Sequence, residues 1–338
     1  MDIGYKFKHF RDFLNQEVPK IEEGALEKEH RVFFIDTPSY GNIGDQAIAL
    51  AMRSFVKNVL PNCGQIEVPE DKLPQSIRWI KKIIRKGDII CLTGGGNMGT
   101  MYRHYEAVRR NVIQTFKDYP IVIFPQTIDY GKGWISQREF VRAKKVYASC
   151  KKLTICARDQ HSYDVMKNNF SQNHVLFCPD IVLYLHYPSL RKEHTNHVGL
   201  CLREDREKCV SENLSSYIRK LFPDNTPLST MRIVPEGISW ENRQRVVEEV
   251  LSEFASNKLV VTDRLHGIIF SYITDTPCIA LPNSNGKVKH VCNYLRESGK
   301  VVFCNNQEDF DNISFPKGEN ESLRSKFTEL EERLKSFL

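Results

Sequence analysis

The chain has 338 residues, of which 41% are hydrophobic and 27% are charged, and its formal net charge is +6. This length and composition predict a soluble globular protein with two domains, each able to bury its own core. No apolar run approaches the roughly 20 residues that a membrane-spanning helix needs, so no transmembrane segment is predicted.

The first residues, Met1 to Phe10, lack the continuous apolar core of a signal peptide, which predicts a cytoplasmic protein. The ten cysteines include no Cys-x-x-Cys pair, and the ten histidines have no His-x-x-x-His spacing. These patterns indicate buried, reduced thiols and no metal site. The basic residues lack the aromatic interleaving of nucleic-acid-binding modules, so nucleic acid is not an expected partner.

Apolar strands and helices alternate along the chain. In the first half we predict a helix from about Asp45 to Val59 and strands at Arg31 to Asp36, Asp88 to Thr93, Pro120 to Phe124 and Leu153 to Ala157. In the second half we predict strands at His197 to Leu202, Met231 to Val234, Lys258 to Val261 and Pro277 to Leu281, and a final helix near Glu319 to Leu338. The polar residues 189–196 between the halves indicate an interdomain link.

This alternation is typical of α/β folds with parallel sheets. We therefore predict two Rossmann-like parallel-sheet domains facing a cleft, an N-terminal domain of residues 1–188 and a C-terminal domain of residues 189–338. The last helix could cross back onto the N-terminal domain.

A basic helix is predicted at residues 77–86, where four isoleucines share one face and five basic residues surround them. One interpretation is peripheral contact with anionic lipid at the inner membrane surface. The favoured interpretation is a surface helix that packs on the sheet before the strand at Asp88.

The most informative segment is a strand that runs directly into a helix at residues 259–270. Arg264, Leu265 and His266 are predicted in the first turn of that helix, with Thr262 or Asp263 as its cap. Free backbone N–H groups and an arginine at such a junction favour a phosphate or carboxylate. His266 could move a proton near neutral pH. The alternative is an arginine that caps the preceding loop and a histidine that is only packed.

Two glycine motifs also follow predicted strands. Gly41 to Gln46 opens a helix, and Asp45 could cap that helix or accept a hydrogen bond from a sugar hydroxyl. Gly95, Gly96 and Asn97 lie in a glycine run that lets the backbone approach a ligand closely, or forms a plain turn. This run matches neither a Walker A loop nor a dinucleotide-binding fingerprint.

Two more arginines, Arg158 and Arg203, each come directly after an apolar strand and precede a carboxylate. An arginine in this position either binds a substrate anion or pairs with the neighbouring acid.

The chain resembles the polysaccharide pyruvyl transferases over about residues 30 to 295. The resemblance depends on an ordered set of motifs: Gly41-Asn-Ile-Gly-Asp45, Thr93-Gly-Gly-Gly96, Ala157-Arg-Asp159, Cys178-Pro-Asp180, Val198-Gly-Leu-Cys-Leu-Arg203, Thr262-Asp-Arg-Leu-His-Gly267, Thr276-Pro277 and Lys287.

This resemblance implies a glycosyltransferase-B-like fold and phosphoenolpyruvate as donor substrate, with no further cofactor. The N-terminal domain would be the acceptor side and the C-terminal domain the phosphoenolpyruvate side. The acceptor would be a sugar in a capsular, exopolysaccharide or cell-wall glycan precursor. That precursor would be either free or linked to a polyprenyl diphosphate. Leu265 and His266 are then the expected donor-site residues, with Arg203 or Arg158 as the anion-binding partner. The same motifs add Asn42 and Lys287 to the substrate-binding residues.

The chemistry of phosphoenolpyruvate assigns roles to these residues. The donor carries two anions, so Arg264 would bind one and Arg203 or Arg158 the other. His266 is the candidate acid for the C3 methylene, or else only a hydrogen-bond donor to the phosphate. Asp45 is the candidate base for a sugar hydroxyl, and Lys287 would offset the charge of the departing phosphate.

Two other functions stay open at this stage. A nucleotide-sugar-dependent glycosyltransferase would share the fold and an anionic donor, and a glycan-binding protein without activity would tolerate loss of His266. Fold alone does not separate these functions from pyruvyl transfer.

Overall fold

A computed structural model describes residues 19–191, 195–204, 208–283, 286–318 and 320–338. The segment Met1 to Phe10, on which the cytoplasmic prediction depends, lies outside the described residues. Among the described residues, no helix is both long enough and apolar enough to cross a membrane.

The chain divides into two compact units. The N-terminal unit comprises the residues up to Tyr40, Met52–Phe177 and Glu329–Leu338, and the C-terminal unit comprises Gly41–Ala51 and Cys178–Thr328. The longest stretch of the N-terminal unit ends at Phe177, before the polar residues 189–196 that we took as the link. The final residues of the chain belong to the N-terminal unit.

The N-terminal unit contains an eight-stranded sheet in the part of the chain that the structure describes. Its strands are β1 (Lys20–Ile21), β2 (Arg31–Thr37), β3 (Gly64–Pro69), β4 (Ile89–Leu92), β5 (Gly95–Gly99), β6 (Ile121–Asp129), β7 (Leu153–Ala157) and β8 (His174–Phe177). The order is β1-β3-β2-β4-β6-β7-β8, with β5 paired to β6. All pairs are parallel except β1 with β3.

The C-terminal unit contains a five-stranded parallel sheet among the described residues, in the order β10-β9-β11-β12-β13. Its strands are β9 (Val198–Cys201), β10 (Thr226–Pro227), β11 (Leu259–Thr262), β12 (Cys278–Ala280) and β13 (Val301–Phe303). The two largely parallel sheets confirm the predicted α/β fold class.

Helices connect the strands, as parallel pairing requires. In chain order they are α1 (Ile43–Val59), α2 (Leu73–Ile83), α3 (Arg103–Thr115), α4 (Trp134–Ala148), α5 (Gln160–Asn169), α6 (Glu212–Leu221), α7 (Arg243–Ala255), α8 (Leu265–Ile273), α9 (Lys287–Leu295), α10 (Gln307–Asp311) and α11 (Thr328–Lys335). Each unit has its own apolar core, built from inward-facing strand residues and the helices that cover them.

Three predicted elements differ from the structure. The final helix, predicted near Glu319 to Leu338, spans only Thr328–Lys335. The expected strand from Met231 to Val234 is absent, because Met231 forms only an isolated antiparallel bridge with Asn42. The glycine run, expected as a loop, forms strand β5 instead, and the positive φ angles of Gly95 (129°) and Gly99 (142°) explain why glycine suits both ends.

The basic helix is α2, and its apolar face packs inside the N-terminal unit. Ile80 is fully buried, and Ile77, Ile83 and Ile84 pack against the same core. This packing agrees with the favoured interpretation of a surface helix on the sheet, because the isoleucines that would enter a lipid layer already contact the protein core.

Candidate functional site

The Arg-Leu-His motif lies where β11 meets α8 in the C-terminal unit. Helix α8 begins at Leu265, and Arg264 is its N-cap residue with no side-chain hydrogen bond at the cap. The prediction that Thr262 or Asp263 caps this helix is therefore wrong. The Thr262 hydroxyl instead donates to the Cys201 carbonyl at 2.7 Å and accepts from the Arg264 N–H at 3.0 Å.

Asp263 interacts with both Arg203 and Arg264, the two arginines that follow strands β9 and β11. Its Oδ1 accepts a hydrogen bond from the backbone N–H of Arg203 at 2.9 Å. Burial raises the pKa of the Asp263 carboxyl, against the lowering effects of that hydrogen bond and of the positive charges of Arg264 and Arg203. Strands β9 and β11 are neighbours, with Cys201 opposite Thr262. Arg203 and Arg264 therefore both lie just beyond the carboxyl ends of two neighbouring parallel strands.

His266 lies beside a buried carboxylate that our sequence analysis assigned no role. Its Nε2 is 3.9 Å from Oδ2 of Asp180, and the side chains are 14% and 2% exposed. The other oxygen, Oδ1, accepts from the Val182 N–H at 3.0 Å and so caps the short 3-10 helix Ile181–Tyr184. The available signal was the Cys-Pro-Asp motif, which we used only for the resemblance.

The His266 ring is also held by packing. Its centroid lies 6.0 Å from that of the Phe270 ring, one helical turn further along α8. On another side, a Cβ added to Gly44 would come within 2.6 Å of Cγ of His266. The glycine at position 44 is therefore required for the close approach of the α1 backbone to the imidazole.

The first glycine motif belongs to the C-terminal unit together with His266. Hydrogen bonding anchors it there, because Ile43 N–H donates to the Thr230 carbonyl at 2.8 Å. Asn42 caps α1, since its Oδ1 accepts from the Gly44 N–H at 3.0 Å. Asp45 lies in the first turn of α1, so the capping role that we considered for Asp45 falls to Asn42.

The second glycine motif lies in the N-terminal unit. Gly95, Gly96 and Asn97 are part of β5, which pairs in parallel with β6. Oδ1 of Asn97 accepts from Arg109 Nη2 at 2.6 Å and from Gln126 Nε2 at 3.1 Å. These two hydrogen bonds fix the Asn97 amide, and substrate binding by these three residues stays a prediction.

Arg158 takes part in a buried network at the end of β7. Its Nε donates to the Thr127 hydroxyl at 2.9 Å, and that hydroxyl donates to Oδ2 of Asp159 at 2.9 Å. Asp159 also caps α5 through the Ser162 N–H at 2.8 Å. This arrangement favours the structural interpretation of Arg158, which reaches its neighbouring acid through one hydroxyl.

Two further predictions concern Lys287 and metal binding. Lys287 is the first residue of α9, and its side chain lies outside the described part of the structure. Within the described ranges, no group of three or more histidine, cysteine, aspartate or glutamate side chains could hold a metal ion.

Comparisons with known proteins agree with the sequence motifs. A family model described as Polysaccharide pyruvyl transferase matches residues 42–285. General stress protein 30 of Bacillus subtilis (strain 168) is 37% identical over 299 residues, which cover 87% of each chain. Pyruvyl transferase 1 of Schizosaccharomyces pombe (strain 972 / ATCC 24843) is 28% identical over 286 residues, 78% of this chain and 69% of the relative.

A solved structure shows the same fold. It is a functionally uncharacterized protein from Klebsiella pneumoniae subsp. pneumoniae NTUH-K2044, with a TM-score of 0.57, 20% identity and coverage of 90% of this chain and 100% of that one. The family match includes the Arg-Leu-His motif and spans more than half of the chain, which confirms the resemblance. The chain therefore belongs to the polysaccharide pyruvyl transferase family.

Proposed function

We propose that the chain transfers pyruvate from phosphoenolpyruvate to a hexose of a polysaccharide or lipid-linked oligosaccharide precursor. Two hydroxyls of the hexose become bridged by a pyruvate ketal, and phosphate is released. The observation that carries the proposal is the grouping of Arg203, Arg264 and His266 after the adjacent strands β9 and β11.

The two arginines match the two anionic groups of the donor. Arg264, together with the backbone N–H groups that begin α8, would bind one anion, and Arg203 would bind the other. We favour Arg203 over Arg158 because Arg203 and Arg264 act on the same carboxyl, that of Asp263. Arg158 already donates to Thr127 in the other sheet.

His266 is the proposed proton donor. The first hydroxyl oxygen forms a bond to C2 while C3 of the donor gains a proton from the imidazolium. The second hydroxyl oxygen then bonds to C2 as the C2–O bond to phosphate breaks, and phosphate leaves with the electron pair. The Asp180 carboxylate lies beside the ring, where its negative charge would stabilise the imidazolium that donates the proton.

Asp45 is the proposed acceptor of the first hydroxyl proton. It directly follows Gly44, the residue against which the His266 ring packs. The second hydroxyl proton leaves with phosphate. Asp45 then returns its proton to solvent and His266 regains one, so both groups recover their starting states and the protons balance.

Thermal unfolding with added phosphoenolpyruvate tests the donor assignment. A ligand that binds only the folded state raises stability by about 2.7 kcal/mol at 100 times its dissociation constant, so even weak binding is measurable. We expect phosphoenolpyruvate to raise the unfolding temperature of the wild type. Arg203→Gln and Arg264→Gln should lose most of that shift, because each removes a cation from the anion site.

Arg245→Gln is the matched control. Arg245 is an exposed arginine of the same unit that pairs with Glu249 along α7, so its loss should leave the shift unchanged. Uridine, cytidine and guanosine nucleotides are the competitors. Stabilisation by a nucleotide but not by phosphoenolpyruvate would reject the proposal in favour of a glycosyltransferase.

A further inference from the structure

Two neighbouring segments of the N-terminal unit expose large apolar side chains. In the described part of the chain, five of the eleven exposed side chains of this kind belong to these segments: Met101, Tyr102, Trp134, Ile135 and Val141. Trp134 is 74% exposed and Met101 is 58% exposed. Single exposed apolar residues are ordinary, but their concentration in one place marks a surface that contacts another molecule.

Hydrogen bonds hold the two segments side by side. Strands β5 and β6 pair in parallel, and Thr100, just after β5, donates its N–H to the carbonyl of Asp129 at the end of β6, at 3.1 Å. The hydroxyls of Thr100 and Ser136 lie 3.0 Å apart. Residues 101–102 and 134–135 are next to this pair of hydroxyls in sequence, so the exposed apolar side chains of both segments belong to one patch.

Helix α4 extends the patch along its outer face. Trp134, Arg138, Val141 and Lys145 recur at helical spacing, so they lie on one face of the helix, and all four are exposed. The buried side chains of α4 are on the opposite face and pack in the core of the N-terminal unit. The outer face therefore alternates apolar and basic residues.

This surface carries positive charge that the fold does not neutralise. Within residues 129–145, Glu139 is already paired with the buried Arg110 at 2.7 Å, which leaves Asp129 as the other acid of this stretch. Four exposed basic side chains of the same stretch form no ion pair with any residue that the structure describes: Lys132, Arg138, Arg142 and Lys145. Positive charges therefore outnumber negative ones around the exposed tryptophan.

We propose that this apolar–basic patch, made of residues 101–102 and 132–135 with the outer face of α4, docks on the surface of a membrane that contains anionic lipid. The exposed apolar side chains enter the boundary between headgroups and acyl chains, where tryptophan and tyrosine are especially favourable. The basic side chains stay at the level of the headgroups and attract their phosphates. The inference goes beyond the proposed function, because it concerns where the protein binds and assumes no donor.

The patch differs from the basic helix α2 in the position of its apolar side chains. The isoleucines of α2 pack in the protein core, whereas the apolar side chains of the patch are exposed to solvent. Charge alone attracts a protein to an anionic surface only within about a Debye length, which is about 10 Å at 0.1 M salt. Burial of apolar area in the lipid adds to this attraction, and only the patch offers both components.

Other occupants fit this surface less well. A two-fold dimer would place the patch against itself, so that its basic residues would face their own counterparts at a cost from like-charge repulsion. Single-stranded nucleic acid binds by stacking its bases on aromatic rings, and Met101, Ile135 and Val141 offer no ring. Anionic headgroups above an apolar layer match both the charge and the apolar side chains.

Vesicle flotation tests the proposal with the full chain and without phosphoenolpyruvate or acceptor. We expect the wild type to float with phosphatidylcholine vesicles that contain phosphatidylglycerol, and far less with pure phosphatidylcholine. Trp134→Ala should lower the partition coefficient roughly tenfold or more, because it removes a large inserted side chain. Arg138→Gln should lower it about fivefold, and added salt should weaken binding of the wild type.

Fluorescence shows whether Trp134 itself enters the lipid. In a Trp79→Phe, Trp240→Phe background, Trp134 is the single tryptophan of the chain. Anionic vesicles should shift its emission to shorter wavelength, and lipids with brominated acyl chains should quench it. Vesicle binding that leaves this emission unchanged would show that another surface contacts the lipid, and would overturn the proposal.

Ile233→Ala and Lys81→Gln are the matched controls. Ile233 is 97% exposed but belongs to the C-terminal unit, so this variant tests whether any exposed apolar residue would serve. Lys81 is an exposed basic residue of α2. Both controls should float as the wild type does. All the substituted side chains are exposed, so every variant should unfold close to the wild-type temperature.

Four results would overturn the docking surface: the wild type does not float with anionic vesicles, Trp134→Ala floats equally well, Lys81→Gln weakens binding as much as Arg138→Gln does, or the wild type is a dimer that Trp134→Ala converts to a monomer. Binding of a single-stranded oligonucleotide instead of vesicles would also overturn it. Vesicle binding without any stabilisation by phosphoenolpyruvate would reject pyruvyl transfer and leave membrane docking standing. Stabilisation by phosphoenolpyruvate without vesicle binding would do the reverse.

Discussion

Oδ2 of Asp180 lies 3.9 Å from Nε2 of His266, and the carboxylate is almost completely buried. The second carboxylate oxygen is held by the Val182 N–H, so the group cannot rotate freely. The imidazole is confined in turn by Phe270 and by the backbone at Gly44. A negative charge this close to an imidazole would favour its positively charged form over the neutral one.

Asp180→Asn should separate binding from turnover. Asparagine keeps Oδ1 and so keeps the cap on the 3-10 helix, but it removes the negative charge that stabilises a protonated His266. We expect phosphate release from phosphoenolpyruvate, in the presence of a hexose acceptor, to fall roughly 100-fold, within the range for loss of acid catalysis. Stabilisation by phosphoenolpyruvate should stay within a few fold of the wild type.

Asp180→Ala provides the comparison for a purely structural role. It removes the cap as well as the charge, and loss of a cap costs about 1 kcal/mol. We expect Asp180→Ala to lose stability and turnover, and Asp180→Asn to lose turnover alone. Equal turnover in Asp180→Asn and the wild type would show that Asp180 only caps its helix.

Gly44→Ala should displace His266. In an ordinary helix interior, alanine is more favourable than glycine by about 1 kcal/mol, but here the added Cβ would overlap the imidazole. We expect turnover to fall by more than roughly tenfold, because a small displacement of a catalytic group is costly. Gly133→Ala is the control, since no atom lies within 4 Å of a Cβ at that position. Unchanged turnover in Gly44→Ala would contradict the packing.

The sequence predicted the elements that have a strong local pattern. The apolar strand from Leu153 to Ala157 has the predicted bounds, and the helix that ends at Val59 was found with its start misplaced by two residues. The strand-to-helix junction that carries Arg264 and His266 was also predicted. In these cases the residue types along a single segment determine the outcome.

Features that depend on distant residues were missed. Strand β5 has a glycine-rich sequence with no strand propensity, and its pairing with β6 decides its conformation. The Asp180 carboxylate and the Gly44 backbone meet His266 only in the folded C-terminal unit. The hydrophobic pattern of a single segment does not predict such contacts, because the contacting residues are far apart in sequence.

Ile80→Ala tests whether the basic helix α2 belongs to the protein core. Ile80 is fully buried and packs against the core of the N-terminal unit. Truncation of a buried isoleucine to alanine typically costs about 2 to 5 kcal/mol, and chemical denaturation should show a loss of this size. The exposed Ile135→Ala is the control and should cost much less. A negligible loss of unfolding free energy in Ile80→Ala would instead support the interpretation that this face of α2 binds lipid.

The stability of the N-terminal unit should depend on pH through Asp36. Its pKa is about 6 in the fold against an ordinary value of 3.8, so the folded state prefers the protonated carboxyl. The contribution of Asp36 to stability is therefore fully present below pH 3.8 and is lost as pH rises through about 6, by up to about 3 kcal/mol. Asp36→Asn has no carboxyl to titrate at this position, so its free energy of unfolding should rise relative to that of the wild type between pH 3.8 and about 6.

Denaturation is best followed in a Trp240→Phe background, where the remaining tryptophans, Trp79 and Trp134, lie in the N-terminal unit. A stability difference between Asp36→Asn and the parent that stays constant from pH 4 to pH 8 would show that burial does not raise the pKa of this carboxyl.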